Sequence, residues 1–376
     1  MKKNYISALA VLACVAVFCT ISGNSFHQMR TATEEIIPGE GVTEVRMLSD
    51  YFPDLAGTAG DTQIYVLQGE QEGGSCLILG GTHANELGGH MGAVLFVENA
   101  KVEAGTLYVI PRTNNSAFTH NDPQEGHPST VHITTDEGNV REFIHGSRAT
   151  NPVDQWPDPD VYVNYMGQSL SGSENRNINR TYPGKADGTL TEMMSYGIVQ
   201  LINTENIDVT VDLHEASPEY PVINALIAHE RAMNLASNVV VDMQMEGVQI
   251  SLEPSPPDLR GLTHRELGDH TDTLALLMEA PNPAQGRLRD RTDEALVLTG
   301  KSETYVKAGE IGQLYVPYDE NGWPIEVRCA RHVFGIERIL ANYSEMYEEP
   351  IIVTGMPSYD ELVKNGMGPY LNEPTT

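Results

Sequence analysis

The sequence predicts an α/β fold, a three-layer α/β/α sandwich around a mixed, mostly parallel sheet. Three observations lead there. Apolar runs rich in strand formers, CLILGG, TLYVIP, IDVTVDLH, VINALIA and LALLMEA, are bounded by Gly, Pro or acidic residues. Between them stand LGGHMGAVLFVENA, LTEMMSYGIVQLINTEN and HERAMNLASNVVVDMQMEG, in which apolar residues recur at helical spacing. Nearly continuous apolar strands alternating with helices belong to sheets covered on both faces. Composition agrees, since 40% hydrophobic and 20% charged residues in a chain of 376 leave room for a sizeable core. The formal net charge of −29 argues against nucleic acid or an anionic membrane surface as a partner, because both require clustered Lys and Arg.

Taken in order, Lys2 and Lys3 precede an apolar run from Ile6 to Ile21 and then small polar residues. That is the layout of a signal peptide over residues 1–25. The run is slightly short of the ~20 residues a spanning helix needs, and an uncleaved N-terminal membrane anchor is the alternative. The chain is therefore expected to be exported, either secreted or anchored on the outer side of the cytoplasmic membrane. Cys19 follows Val17 and Phe18, where lipidation would want a small residue. Residues 26–60 show no periodicity and are expected to form an exposed lead-in. A catalytic domain follows over 61–350, with a long loop region from Arg112 to Arg176, and 351–376 form a C-terminal tail. Cys14 and Cys19 belong to the leader; Cys76 and Cys329 fit a disulfide or two buried thiols equally well.

Three strands end in polar residues. CLILGG runs into T-H-A-N-E, IDVTVDLH ends on His214 before Glu215, and LALLMEA ends near Glu279. In a parallel sheet such ends can converge at the carboxyl edge, where ligands bind. His83 and Glu86 are three residues apart and fall on one side of a turn. With His214 they form the His, Glu, His set of a catalytic zinc site with an open position. Alternation along IDVTVDLH sends Asp208, Thr210, Asp212 and His214 to one face, making Asp212 a candidate partner for the His214 imidazole. Glu279 at the end of an apolar strand is a candidate general base, then acid, acting on metal-activated water. In ENRNINRTYPG, Asn179 and Arg180 could bind a substrate carboxylate, and Arg176 could polarise the scissile carbonyl. His90 is expected to pack or hydrogen-bond locally, as are His120, His127, His132 and His145. RGLTHRELGDHTDT, residues 260–273, reads first as a loop and helix turn with surface charges, with a pocket-lining segment as the alternative. The glycines around the first motif are expected to allow a tight turn between strand and helix.

Together G-G-T-H-A-N-E at 80–86, N-I-N-R-T-Y at 177–182, D-L-H-E at 212–215 and L-M-E at 277–279 resemble the zinc carboxypeptidase superfamily, in particular its succinylglutamate desuccinylase and aspartoacylase branch. The resemblance covers residues 60 to 345. It implies one zinc ion on His83, Glu86 and His214, with Glu279 as the acid and base. It also implies that Asn179 and Arg180 grip the substrate carboxylate, with Tyr182 at the branch's aromatic position. Asn177 and Ile178 depart from the branch's Asp-Leu. Its separate oxyanion-binding Arg has no unambiguous match, Arg176 being nearest and Arg148 and Arg112 the alternatives. The residues after Glu279 hold few strand candidates, which favours a carboxypeptidase-sized domain over a deacylase with a β-rich lid. The expected activity is hydrolysis of an amide next to a free carboxylate in a small peptide. The alternatives are an N-acyl amino acid deacylase and an inactive extracellular binding module.

Overall fold

In chain order the computed structural model, which describes residues 2–122 and 127–374, begins with helix α1 (Lys2–Thr31) and strands β1 (Glu44–Met47), β2 (Gln63–Gln68) and β3 (Gln71–Leu79). Helix α2 (Leu87–Asn99) and strand β4 (Lys101–Ile110) follow, then two hairpins, β5 (Thr130–Thr134) with β6 (Val140–Ile144) and β7 (Val161–Val163) with β8 (Ser169–Ser171). The middle of the chain forms α3 (Leu190–Glu205), β9 (Val209–Ala216), β10 (Ala225–Ala228), α4 (Met233–Met245), β11 (Ser251–Pro254), α5 (Thr263–His270) and β12 (Leu274–Pro281). It closes with α6 (Glu294–Thr299), α7 (Glu303–Glu310), α8 (Ile325–Tyr347), β13 (Ile352–Thr354) and α9 (Tyr359–Asn365). Met1 of the leader, 123–126 of the long loop and 375–376 of the tail lie outside the described residues.

The main sheet has the order β1-β2-β4-β3-β9-β12-β10-β11, with β13 paired to the start of β4. Its four central strands, β4, β3, β9 and β12, are mutually parallel, and antiparallel pairings come at the flanks through β2, β1, β10 and β13. The central strands are the continuous apolar runs, because both of their faces are covered. Cys76 and Ile78 of β3 and Val209, Val211 and Leu213 of β9 face the core beneath α2, α4 and α8. Leu77 and Leu79 face a second core beneath α3. The three-layer α/β/α sandwich expected from the sequence is thus the observed architecture.

Helix α2 is apolar on nearly every side because the sheet and α8 enclose it. Its glycines serve close approach. A Cβ on Gly89 would stand 2.3 Å from the Leu213 carbonyl oxygen, and one on Gly92 would meet the His332 Cβ at 3.3 Å. The tight turn after β3 belongs instead to Gly81, at φ +61° with no room for a Cβ beside the Pro111 carbonyl.

Three segments are more ordered than their patterns suggest. The lead-in supplies edge strand β1, and Leu48 and Leu55 are fully buried under α3. The loop region contains the two hairpins and sends Val131 and Phe143 into the core. The tail adds β13 and α9, burying Leu362, Met367 and Leu371. Each is too short to show periodicity, so its burial is decided by distant partners. Cys76 and Cys329 are both buried free thiols. Helix α1 is exposed along its apolar length and meets the domain at its end, where Arg30 pairs with Asp154 at 2.7 Å.

Candidate metal centre and cleft

The carboxyl ends of β3, β9 and β12 meet at one edge of the sheet. Residues 80–86 turn directly out of β3, and His83 and Glu86 face each other, Nδ1 to Oε1, at 2.8 Å. In β9, His214 turns its Nδ1 to the other Glu86 oxygen at 2.9 Å. One donor atom from each of the three buried residues lies within 4.8 Å of the others, and this is the one such group among the described residues. Two imidazoles and one carboxylate match the donor chemistry of a zinc site, so the residues present fit the ion implied by the resemblance.

The far side of each imidazole is also held. His83 Nε2 lies 3.0 Å from Asn177 Oδ1, and His214 Nε2 lies 2.8 Å from Asp212 Oδ2. Asp212 is anchored by the hydroxyls of Thr82 and Thr263, which donate at 2.6 and 2.5 Å. Such partners orient ligand imidazoles and set their tautomers. Glu86 Oε2 also accepts from the Glu215 backbone N–H at 3.0 Å, and the Glu215 side chain is bound at 2.9 Å by the fully buried Arg328.

The electrostatics follow from burial and these contacts. Burial, reinforced by Arg148, pushes His83 down to about 4, leaving a neutral donor. Burial also opposes charge on His214, but Asp212 and Glu86 outweigh it and hold the imidazole well above its usual range. Burial disfavours the charged form of Glu86, yet the two histidines outweigh it and hold the carboxyl well below its ordinary value. A proton on His214 therefore supplies the positive charge that this carboxylate pair demands, and a metal ion held by His83, Glu86 and His214 would take its place.

Glu279 on β12 stands in register with His214 on β9. Burial raises its carboxyl to about 8 against the pull of His214, and its Oε2 has no hydrogen-bond partner among the described residues. A buried unpaired carboxyl oxygen at a strand end is costly unless a ligand uses it.

These residues open onto a cleft of about 340 Å³ that also presents Arg148, Asn179, Arg180, Tyr220, His264 and Gln285. The amide oxygen of Asn179 is occupied by the Thr263 N–H and hydroxyl, each at 2.9 Å, which turns its Nδ2 toward His214 Nε2, 3.5 Å away at the floor of the cleft. Arg180 is turned by its own neighbour, donating to the Asn179 carbonyl at 2.6 Å.

The structure brings His83, Glu86, His214, Asp212, Asn179, Arg180 and Glu279 together, but not Arg176 or Tyr182. Arg176 is clamped by Asp158 at 2.7 and 2.9 Å and by the Thr150 carbonyl, away from the cleft. Arg148 stands in the cleft instead, 3.4 Å from Glu86 Oε1, whereas Arg112 lies over the Phe118 ring. Tyr182 is fully buried in the α3 core. The 260–273 segment is not a charged surface turn: Thr263 and His264 are buried, and both serve the cleft or its supports. Thr82, Asn177, Thr263 and Gln285 were not singled out by sequence. Thr82 and Asn177 had one available signal, their places inside the quoted motifs. His90 binds Pro111 O at 2.8 Å and Glu34 at 2.6 Å, a packed histidine as expected.

No protein-family model matches the sequence, and comparison with curated proteins finds no match. Solved structures with a similar course of chain include a succinylglutamate desuccinylase from a Silicibacter species, at 15% identity and TM-score 0.42 over 76% of this chain and 61% of that one. They also include a metallo-carboxypeptidase from Burkholderia cenocepacia, at 12% identity and TM-score 0.45 over 81% and 65%. A third is the product-bound cell shape determinant protein Csd4 from Helicobacter pylori, at 13% identity and TM-score 0.45 over 80% and 59%. The chain thus spans about three fifths of the length of the first of these.

Proposed function

We propose that this protein is an exported metallohydrolase that cleaves an amide bond next to a free carboxylate, in the manner of a carboxypeptidase. The observation that carries the reading is Glu279, a half-buried residue whose enclosed Oε2 has no hydrogen-bond partner among the described residues, in register with one of three converging metal donors. His83, Glu86 and His214 would hold one zinc ion. Bound there, the ion would supply Lewis acidity to the substrate carbonyl and to the attacking water.

The chain's own groups account for the rest. Arg180, beside the Nδ2 of Asn179, binds the substrate's terminal carboxylate and fixes the scissile bond in the cleft. Arg148 reaches in from the loop before β7 and offers its guanidinium to the carbonyl oxygen, where negative charge develops. Glu279 Oε2 takes a proton from the attacking water and returns it to the leaving nitrogen. Its raised affinity for protons suits both halves of that exchange.

Helix α1 supports export or anchoring, as an 18-residue window within Asn4–Thr31 has mean hydropathy 2.3 and none of it is buried. The test is metal analysis together with turnover on matched panels of short peptides and N-acyl amino acids, for the wild type and Glu279→Gln. Release of C-terminal residues by the wild type supports the peptidase. Turnover of N-acyl amino acids alone would assign it to the deacylases, and no stoichiometric metal would sink both.

A further inference from the structure

The cleft carries a carboxylate that neither metal binding nor proton transfer uses. Glu253 on β11 lines it, half-buried, and its side chain has no hydrogen-bond or ion-pair partner among the described residues. Its position is set by register. Leu277 on β12 pairs with Ile227 on β10, and Ile227 pairs with Glu253 on β11, so the three side chains stand side by side on one face. Leu252, the neighbour of Glu253, packs on the opposite face into the α4 core. On β12, Leu277 is two residues before Glu279 and shares its face. An apolar floor therefore runs from Glu279 across Leu277 and Ile227, flanked by Val222, Leu259 and Leu262, and ends on a single free carboxylate.

We propose that Glu253 selects a cationic side chain, of the lysine or ornithine class, on the amino acid that carries the substrate's free carboxylate; this rests on the amidohydrolase reading above. With that carboxylate on Arg180, the adjoining side chain lies over the floor and points away from the metal donors. Strands are spaced ~4.8 Å apart, so Glu253 is about 10 Å across the sheet from β12, a span shared between a four-carbon ammonium stem and the Glu253 side chain itself. Methylenes cover the leucine and isoleucine surface while the ammonium meets the carboxylate, as amphipathic cations do. An acidic side chain would place two carboxylates together and be rejected, which makes the selection partly repulsive.

The test uses metal-loaded full-length protein and N-blocked dipeptides and N-acetyl amino acids ending in lysine, norleucine or glutamate. Wild type should favour lysine over norleucine, a near-isostere without charge, by on the order of tenfold in kcat/KM, with glutamate poorest. Glu253→Gln should collapse the lysine to norleucine ratio toward one, and Glu253→Lys should raise glutamate above lysine; the melting temperature of each variant checks that it is folded. Hydrolysis with norleucine equal to or better than lysine, or a ratio unchanged in both variants, overturns the role of Glu253 while the hydrolase stands. No hydrolysis of any substrate overturns the hydrolase, and the selectivity with it.

Discussion

His214 and Glu279 stand opposite each other on the adjacent parallel strands β9 and β12, so a metal donor and an unpaired carboxyl leave the sheet on the same face. This pairing divides labour in a way that substitutions can separate. Glu279 makes no hydrogen bond to His83, Glu86 or His214, so Glu279→Gln should keep stoichiometric metal while kcat falls by roughly 10²–10⁴, the range for removing a positioned acid–base group. Metal content and single-substrate kinetics read the two effects independently.

His214→Ala removes a donor and should abolish both metal and turnover. Asp212→Asn acts one step further out: it leaves the donor set intact but weakens the bond that orients His214, and metal affinity should drop by about 10–100-fold. Competition with a chelator measures this; affinity equal to wild type would mean that Thr82 and Thr263 hold Asp212 for structural reasons alone.

The metal-free protein should lose stability as pH rises through the Glu279 transition. Burial lifts this carboxyl from its ordinary 4.5 to about 8, so the folded state carries an extra proton between those values. Stability linked to that proton is complete below pH 4.5 and is lost as pH climbs through 8. Melting temperatures of chelator-treated wild type against pH should show the decline, and Glu279→Gln should make it shallower, leaving the contributions of His214 and Glu215, whose proton affinities are also raised in the folded state.

Arg148 and Arg176 should behave as opposites. Arg148→Ala is expected to lower kcat by about 10²-fold, as for loss of a group facing a developing oxyanion. Arg176→Ala breaks a clamp on Asp158 and the Thr150 carbonyl, so its effect should fall on thermal stability, by about 1 kcal/mol for a partly exposed pair, with little change in kcat.

Gly89→Ala tests the packing that delivers Glu86. The added methyl would meet the Leu213 carbonyl oxygen at 2.3 Å, and backbone cannot yield as a side chain can. A loss of about 1–3 kcal/mol is expected, seen as a lower urea midpoint at unchanged slope.

Much of this site was legible before folding. The three-residue spacing of His83 and Glu86 places them together locally, and alternation along β9 puts Asp212 and His214 on one face whatever the surroundings. The apolar strands determined the sandwich, since runs without polar alternation must be covered twice. Tertiary structure alone decided which arginine reaches the cleft. Arg148 and Arg176 look alike as text, and it is Asp158 with the Thr150 carbonyl that holds one of them elsewhere. It also turned the 260–273 segment inward, where Thr263 ties Asn179 to Asp212 through contacts far apart in sequence. The glycines after β3 show the same division. Their number announces that something must come close, but only the packing of α2 on β9 separates Gly81, needed for a left-handed turn, from Gly89, needed because another backbone occupies the space. Local patterns report periodicity and spacing; long-range steric and charge partners are properties of the folded chain.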